Sequence, residues 1–315
     1  MKIGKISLLI MWLWVRAASA YLSSTVNTET TRSAHWVIRT SKLETTIEFL
    51  KKVLGMRVLR HEENDAPCPI TCNGNSPTAW SKTMIGYETE DKAWALEVTY
   101  NYGVDSYQTG SGLASMALAI PNVAEAAKAA VQLGYLVRNI GRGVMVLGPD
   151  GYRFNLIDNK ELADLSTAPT SEVATRAEPF LAVRLHVANL AVTQDFYSRV
   201  LGMKVLESDG KAEQPDALAG LRRSEDLVMA YSPSQVALIF RRSAGGRKPR
   251  IEQYEGRHAL SMPAEAVKAA YNTAQKEFPG SVVHEIMELE EQLGTLFIAI
   301  IKDPDGKYLE KKGAT

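Results

Sequence analysis

The sequence predicts an α+β fold of four βαβββ units in tandem, paired into two cupped sheets. Three observations lead there. First, Val53-Leu54-Gly55-Met56-Arg57-Val58-Leu59 returns as Val200-Leu201-Gly202-Met203-Lys204-Val205-Leu206, with one conservative change. A long fixed period marks a duplicated structural unit. Second, Gly148-Pro149-Asp150-Gly151-Tyr152 is matched by Asp303-Pro304-Asp305-Gly306-Lys307. Pro presets its φ and Gly supplies a positive one, so each is a turn before a last strand. Third, helical spacing alternates with β-prone runs in the same order each time. One such unit has a sheet covered by helix on one face only, and pairing units buries more surface and curls the sheets around a pocket.

The first unit opens with the strand candidate Ala34-His35-Trp36-Val37-Ile38-Arg39. A helix is predicted over 43–53, where Ile47, Leu50 and Leu54 share a face, and Gly55 stops it. Strands follow at 57–60, 82–87 and 94–100. The second unit has a strand at 113–120, an Ala-rich helix over 123–133 introduced by Pro121-Asn122, and strands near 136–139, 144–147 and 152–157. Residues 159–178 form a polar, Ala/Thr-rich linker. The third unit begins at Phe180, with a helix over 192–200 and strands near 204–207, 227–231 and 236–240. The fourth has a strand at 258–262, a helix over 264–278, and strands at 282–287, 295–301 and 307–311. The two domains are thus 34–158 and 179–313, an ordinary size for each half of a 315-residue chain.

With 36 basic and 36 acidic residues, nothing favours nucleic acid, which selects a basic face. The basic run 241–250 reads as a solvated loop. Residues 1–20 read as a targeting segment: Lys2 and Lys5, then an apolar run to Val15, then Ala18-Ser19-Ala20 as a cleavage pattern. That run is too short to span a bilayer comfortably, and no other segment reads as a membrane helix. The Ser/Thr-rich stretch 21–33, headed by Tyr21, resembles the second part of a bipartite presequence. The expected destination is a plastid of secondary origin or the outside of the cell. Cys68 and Cys72, the only cysteines, lie in a loop and could pair in an exported protein.

Three segments carry a resemblance to the vicinal oxygen chelate superfamily, of which glyoxalase I is a member. They are residues 53–63, from Val53-Leu54-Gly55-Met56 to His61-Glu62-Glu63; Trp80-Ser81-Lys82-Thr83-Met84-Ile85-Gly86; and Glu97-Val98-Thr99-Tyr100-Asn101-Tyr102-Gly103-Val104. The resemblance covers about residues 34–312 and implies the paired βαβββ fold (glyoxalase/bleomycin resistance/dioxygenase type). By position it implies His35 and Glu97 as metal ligands from the first unit. The equivalent places are Ser115 and Asn155 in the second unit, Ala182 and Ile239 in the third, and Arg257 and Glu310 in the fourth. Pairing units one and four would give a cup with His35, Glu97 and Glu310, and leave the other cup without metal ligands.

One imidazole and two carboxylates suit a divalent Zn, Ni, Mn or Fe ion, which would polarise a substrate oxygen and stabilise an enediolate. The resemblance gives Glu310 the catalytic base role. It gives Arg39 and Asn101, on the same strand faces as His35 and Glu97, contacts to glutathione as co-substrate. The activity so implied is lactoylglutathione lyase-like, acting on the glutathione hemithioacetal of methylglyoxal. The alternative is a non-catalytic protein of the same fold that binds a small molecule or partner. Arg257 favours it, standing where glyoxalase I has a His, and so would either repel a cation or bind an anion. His258 is one residue out of register and faces the other way unless a bulge turns it. Glu310 has the alternative of a solvated edge position. A dioxygenase site would need a second His in register. His186 and His284 read as structural. Four units in one chain satisfy the pairing internally, which makes a monomer the expected state.

Overall fold

The computed structural model describes residues 31–158, 179–206, 218, 220–291 and 294–314. The targeting segment 1–20 and the linker 159–178 lie outside the described residues. Of the stretch 21–33, only 31–33 are described, and Arg32 and Ser33 open the first strand.

The first unit comprises β1 (Arg32–Thr40), α1 (Leu43–Lys52), β2 (Arg57–Asn64), β3 (Trp80–Gly86) and β4 (Ala95–Asn101). The second comprises β5 (Leu113–Ile120), α2 (Val123–Gln132), β6 (Leu136–Asn139), β7 (Gly143–Leu147) and β8 (Arg153–Asp158). The third comprises β9 (Phe180–Val187), α3 (Leu190–Leu201), β10 (Lys204–Val205), β11 (Leu227–Ala230) and β12 (Ala237–Arg242). The fourth comprises β13 (Arg257–Ser261), α4 (Ala264–Glu277), β14 (Val282–Glu291), β15 (Gly294–Lys302) and β16 (Tyr308–Ala314).

Units one and four form one eight-stranded sheet, β14-β15-β16-β13-β1-β4-β3-β2. Units two and three form the other, β10-β11-β12-β9-β5-β8-β7-β6. The seams are antiparallel, β1 on β13 and β5 on β9. Within each unit the helix carries the chain across so that first and last strands pair parallel, β1 with β4 and β13 with β16.

The repeat has a local cause. Gly55 and Gly202 both follow a helix with positive φ, 71° and 70°. Such a residue ends a helix without the steric cost a Cβ would bring. The next amide then turns back, Met56 to the Leu50 carbonyl and Met203 to that of Tyr197, each at 3.1 Å. The Pro-Asp-Gly turns also act alike. The Asp150 carboxylate accepts from Thr40 Oγ1 (2.6 Å) and Ser41 Oγ (2.8 Å) ahead of α1, and Asp305 accepts from the Ala188 amide (3.2 Å) ahead of α3.

The helices lie in a core shared by the two sheets. Phe49, Phe196, Tyr197 and Val267 pack with Trp36, Leu96, Leu118, Leu238 and Leu260 from the strands. Phe49 meets Phe154 at 5.4 Å and Trp94 meets Phe180 at 4.3 Å between ring centres, tying the halves together. Because strand residues alternate faces, the opposite face of each sheet is the concave one. In the second sheet that face joins an apolar cluster to polar residues, Arg184 and Arg241 lying two positions beyond Ala182 and Ile239. Ala182 and Ile239 pack with Leu218, Leu221 and Val228, and Asn155 donates to Ser115 Oγ at 3.1 Å.

Candidate functional site

Four adjacent central strands of the first sheet each contribute one residue to its cup: Glu310 from β16, Arg257 from β13, His35 from β1 and Glu97 from β4. The intervening Trp36, Leu96 and Val98 belong to the core, so period-two alternation delivers His35 and Glu97 to the cup. All four are buried, at 6% (His35), 3% (Glu97), 3% (Arg257) and 0% (Glu310) exposure. Glu310 is therefore no solvated edge residue.

The four form two pairs. His35 Nε2 lies 3.3 Å from Glu97 Oε2. Arg257 Nη2 lies 2.5 Å from Glu310 Oε2, while Lys312 Nζ lies 2.7 Å from Glu310 Oε1. Thr99 Oγ1 reaches Glu97 Oε1 at 3.4 Å. Lys82, buried on β3, pairs at 2.9 Å with Glu62 near the rim.

Burial would raise the pKa of both carboxylates, and the surrounding cations reverse that. His35, Lys82 and Arg257 hold Glu97 well below the usual carboxylate range. Arg257 and Lys312 hold Glu310 down to about 2. Burial presses Lys82 down to about 7 against the pull of Glu97. Burial, with Arg257 nearby, lowers Arg39 to about 10. The cup thus joins two ionised carboxylates to Arg39, Arg257 and Lys312, with Lys82 titrating close to neutral pH.

These residues do not fit a resident divalent ion. A third donor would have to come from Glu310, whose oxygens already face a guanidinium and an ammonium. The fourth corner is Arg257 itself, which repels a cation. Among the described residues, no three His, Cys, Asp or Glu side chains group as a metal would require. The His35–Glu97–Glu310 set expected from resemblance thus stands as a His–carboxylate pair beside an Arg–carboxylate–Lys cluster.

His258 faces away from the cup, as register requires. It stacks on Trp36 at 5.5 Å, and its Nε2 lies 2.6 Å from Ser33 Oγ. Burial, with His35 nearby, drives it down to about 3, so it is neutral. His186 Nδ1 lies 2.9 Å from the Ser111 carbonyl, a structural contact. Arg241 is not a solvated loop residue: it pairs with Asp226 at 2.5 Å.

Arg39 and Asn101 do lie with the cup, but their donors are engaged. Arg39 gives Nη1 to the Gln253 carbonyl and Nη2 to that of Cys72, the latter at 3.4 Å. Asn101 Nδ2 donates to the Asn73 carbonyl at 3.0 Å and to Tyr107 at 2.9 Å. Sequence reasoning missed Lys82 and Lys312. Period two held the signal: Lys312 lies two residues beyond Glu310, and Lys82 pairs with Thr99, two beyond Glu97.

A paired βαβββ chain with two unlike cups is defined by this geometry. Residues 32–156 match the Glyoxalase/Bleomycin resistance protein/Dioxygenase superfamily. The chain is 30% identical to glyoxalase domain-containing protein 4 of Rattus norvegicus, over 88% of this chain and 83% of that one. It is 27% identical to a lactoylglutathione lyase of Arabidopsis thaliana, over 87% of this chain and 89% of that one. Crystalline glyoxalase I from Zea mays shares the fold with a TM-score of 0.67 and 22% identity, covering 90% of this chain and 92% of that one. The chain belongs to the glyoxalase/bleomycin resistance/dioxygenase superfamily.

Proposed function

We propose that the cup of units one and four binds a small carboxylate-bearing molecule of the glutathione-adduct class, and holds it through fixed cations rather than a divalent metal. The observation that carries this reading is Arg257, paired with Glu310 at 2.5 Å in the place a ligand would occupy. A buried guanidinium recognises carboxylates through paired, charge-assisted hydrogen bonds. Arg39 and Lys312 extend the same field along the cup. His35 presents an imidazole to the cup 3.3 Å from the Glu97 carboxylate.

The test is calorimetric titration of metal-stripped residues 21–315 with S-lactoylglutathione, under reducing conditions, beside elemental mass spectrometry. Saturable binding with no metal in the protein supports the reading. Binding that appears only after a divalent ion is added sinks it.

A second reading rests on a separate observation. His35 Nε2 is buried with no well-aligned hydrogen bond, and an imidazole nitrogen so placed suits a metal ligand. It is the lactoylglutathione lyase-like activity, with Glu310 as base, and the relative named for that activity favours it. Turnover of the methylglyoxal–glutathione hemithioacetal after Zn, Ni, Mn or Fe(II) loading would support it. For the whole chain we propose entry into the secretory pathway and a monomeric mature form. Among the described residues no helix is long and apolar enough to cross a membrane.

A further inference from the structure

The segment joining β2 to β3, residues 65–79, is far longer than the roughly two to five residues of an ordinary hairpin connection. It folds back over the cup, and its backbone carbonyls meet the residues that a ligand would need. Arg257 Nη1 donates to Ile70 O at 3.1 Å, Arg39 Nη2 to Cys72 O at 3.4 Å, and Asn101 Nδ2 to Asn73 O at 3.0 Å. Those donors come from three strands, β13, β1 and β4. Ile70 is buried and packs with Ile298 and Ile300 of unit four, so the segment bridges the two units that form the cup. The backbone is pressed close: a Cβ on Gly74 would lie 3.3 Å from the Arg39 guanidinium carbon.

The segment is held in shape by its own crosslink, the Cys68–Cys72 disulfide. Around it, Thr71 N–H donates to Cys68 O at 3.1 Å, and Cys68 N–H to Asn73 Oδ1 at 3.1 Å. The three carbonyls that face the cup all fall at residues 70–73, within or just past this crosslinked turn. Cys68 is half-buried and Cys72 buried, so a solvent thiol has its approach from the Cys68 side.

The second cup offers a comparison within the chain. There the segment between β10 and β11 supplies Leu218 and Leu221, which pack on Ile239 and Ala182. The described part of that closure is apolar, and it has no crosslink, since the chain's two cysteines are both in the first unit. Its opening would expose hydrocarbon to water. The closure over the first cup joins an apolar contact, Ile70 on Ile298 and Ile300, to polar ones in which its donors can exchange one oxygen acceptor for another.

We infer that the Cys68–Cys72 segment is a redox-set lid: oxidised, it occupies Arg257, Arg39 and Asn101, and reduced, it yields them to a carboxylate ligand. A dithiol reductant supplies the electrons. Its thiolate attacks one cysteine sulfur, the S–S bond breaks, and its second thiol resolves the mixed disulfide. Cys68 and Cys72 end as thiols and the reductant as a disulfide. Freed from the crosslink, the turn loses the constraint that aligns its carbonyls. A carboxylate then outcompetes them, because a charge-assisted pair with Arg is stronger than a pair with a neutral carbonyl. The ligand half of this inference rests on the reading of the cup as a small-molecule site; the lid half does not.

The experiment uses oxidised protein, the same protein after a dithiol, and Cys68→Ser/Cys72→Ser. Amide hydrogen exchange across 65–79 is read by mass spectrometry, and S-lactoylglutathione affinity by calorimetry. Exchange in 65–79 is expected to rise at least tenfold on reduction and in the double variant, to fall again on reoxidation, and to stay unchanged in β9–β12. Affinity is expected to rise at least tenfold in the same two states. Equal exchange in oxidised and reduced protein overturns the lid. Faster exchange with no binding in any state upholds the lid and refutes the small-molecule reading of the cup.

Discussion

Arg257→His puts an imidazole in place of the guanidinium that faces Glu310, and the size of its effect follows from the geometry. An ion bound to a Glu310 oxygen would sit roughly 2.1 Å from it. Arg257 Nη2 is 2.5 Å from that same carboxylate. Ion and Nη2 would therefore be at most about 4.6 Å apart where the ion takes that same oxygen, Oε2. At an effective dielectric of about 20, a divalent ion and a unit positive charge at that distance repel by about 7 kcal/mol. That is about five orders of magnitude in affinity. The substitution removes the repulsion, frees one Glu310 oxygen and adds a nitrogen donor, so Zn affinity is expected to rise by several powers of ten. Some of the gain is lost because Lys312 still faces Glu310 at 2.7 Å. The assay is competitive Zn titration against a chromogenic chelator, with elemental mass spectrometry of the dialysed proteins. Wild-type protein that retains one tight Zn per chain, or a variant with unchanged affinity, would refute the argument that a fixed cation keeps the ion out.

Other expected outcomes concern the carboxylates, Lys82 and the second cup. A carboxylate held below its unfolded pKa of about 4.3 contributes stability above that pH and loses it as pH falls toward its folded value. Glu97 and Glu310 are both held low, so urea stability should drop steeply below about pH 4.5, and Glu97→Gln should flatten the drop. Lys82 acts in the same direction over a higher window: with a folded value of about 7 against an unfolded one near 10.4, the unfolded chain binds more protons between them, and stability should climb with pH across that window. Lys82→Met should remove much of that climb, read by urea melts at pH 6.5 and 9.5. Leu221→Ala should cost about 2–4 kcal/mol through the void left in the second cup, while leaving S-lactoylglutathione affinity unchanged by calorimetry.

The fold was legible in the sequence because its signals are local and periodic. A left-handed glycine must follow helices that end in this way, and Leu-Gly-Met records it twice. A tight turn before the last strand needs Pro-Asp-Gly, also found twice. The pairing of unit one with unit four was legible for a different reason. The positions in units two and three carry Ser115, Asn155, Ala182 and Ile239, and only the pairing of one with four gathers the ionisable groups. Boundaries drifted where side chains are ambiguous. β2 runs past the expected 57–60 to Asn64, through the charged residues His61-Glu62-Glu63, which pair with β3. Their side chains are partly solvated at an edge, and Glu62 turns inward to Lys82.

The candidate site was legible as a set of positions and illegible as a set of partners. Spacing along a strand fixes which face a residue takes, so the strand positions of His35, Glu97, Arg257 and Glu310 are enough to bring the four together. Spacing does not fix which charge a carboxylate will choose. Glu310 reads as a metal ligand until Lys312 and Arg257 are both beside it, and a buried carboxylate takes the nearest compensating cations. The same limit hid the lid. Arg39 and Asn101 read as ligand contacts because their side chains suit a carboxylate, and those same donors suit a backbone carbonyl. One acceptor of each, Cys72 and Asn73, lies some thirty positions away in sequence, on a segment with no periodicity to announce where it lies. Cys68 and Cys72 are the only mark of that segment in the sequence. Their spacing tells that they can be joined to one another, not that the turn they close rests on Arg257, nearly two hundred residues along the chain. What occupies the cup is thus set by contacts across units, and those contacts depend on whether that one crosslink is made.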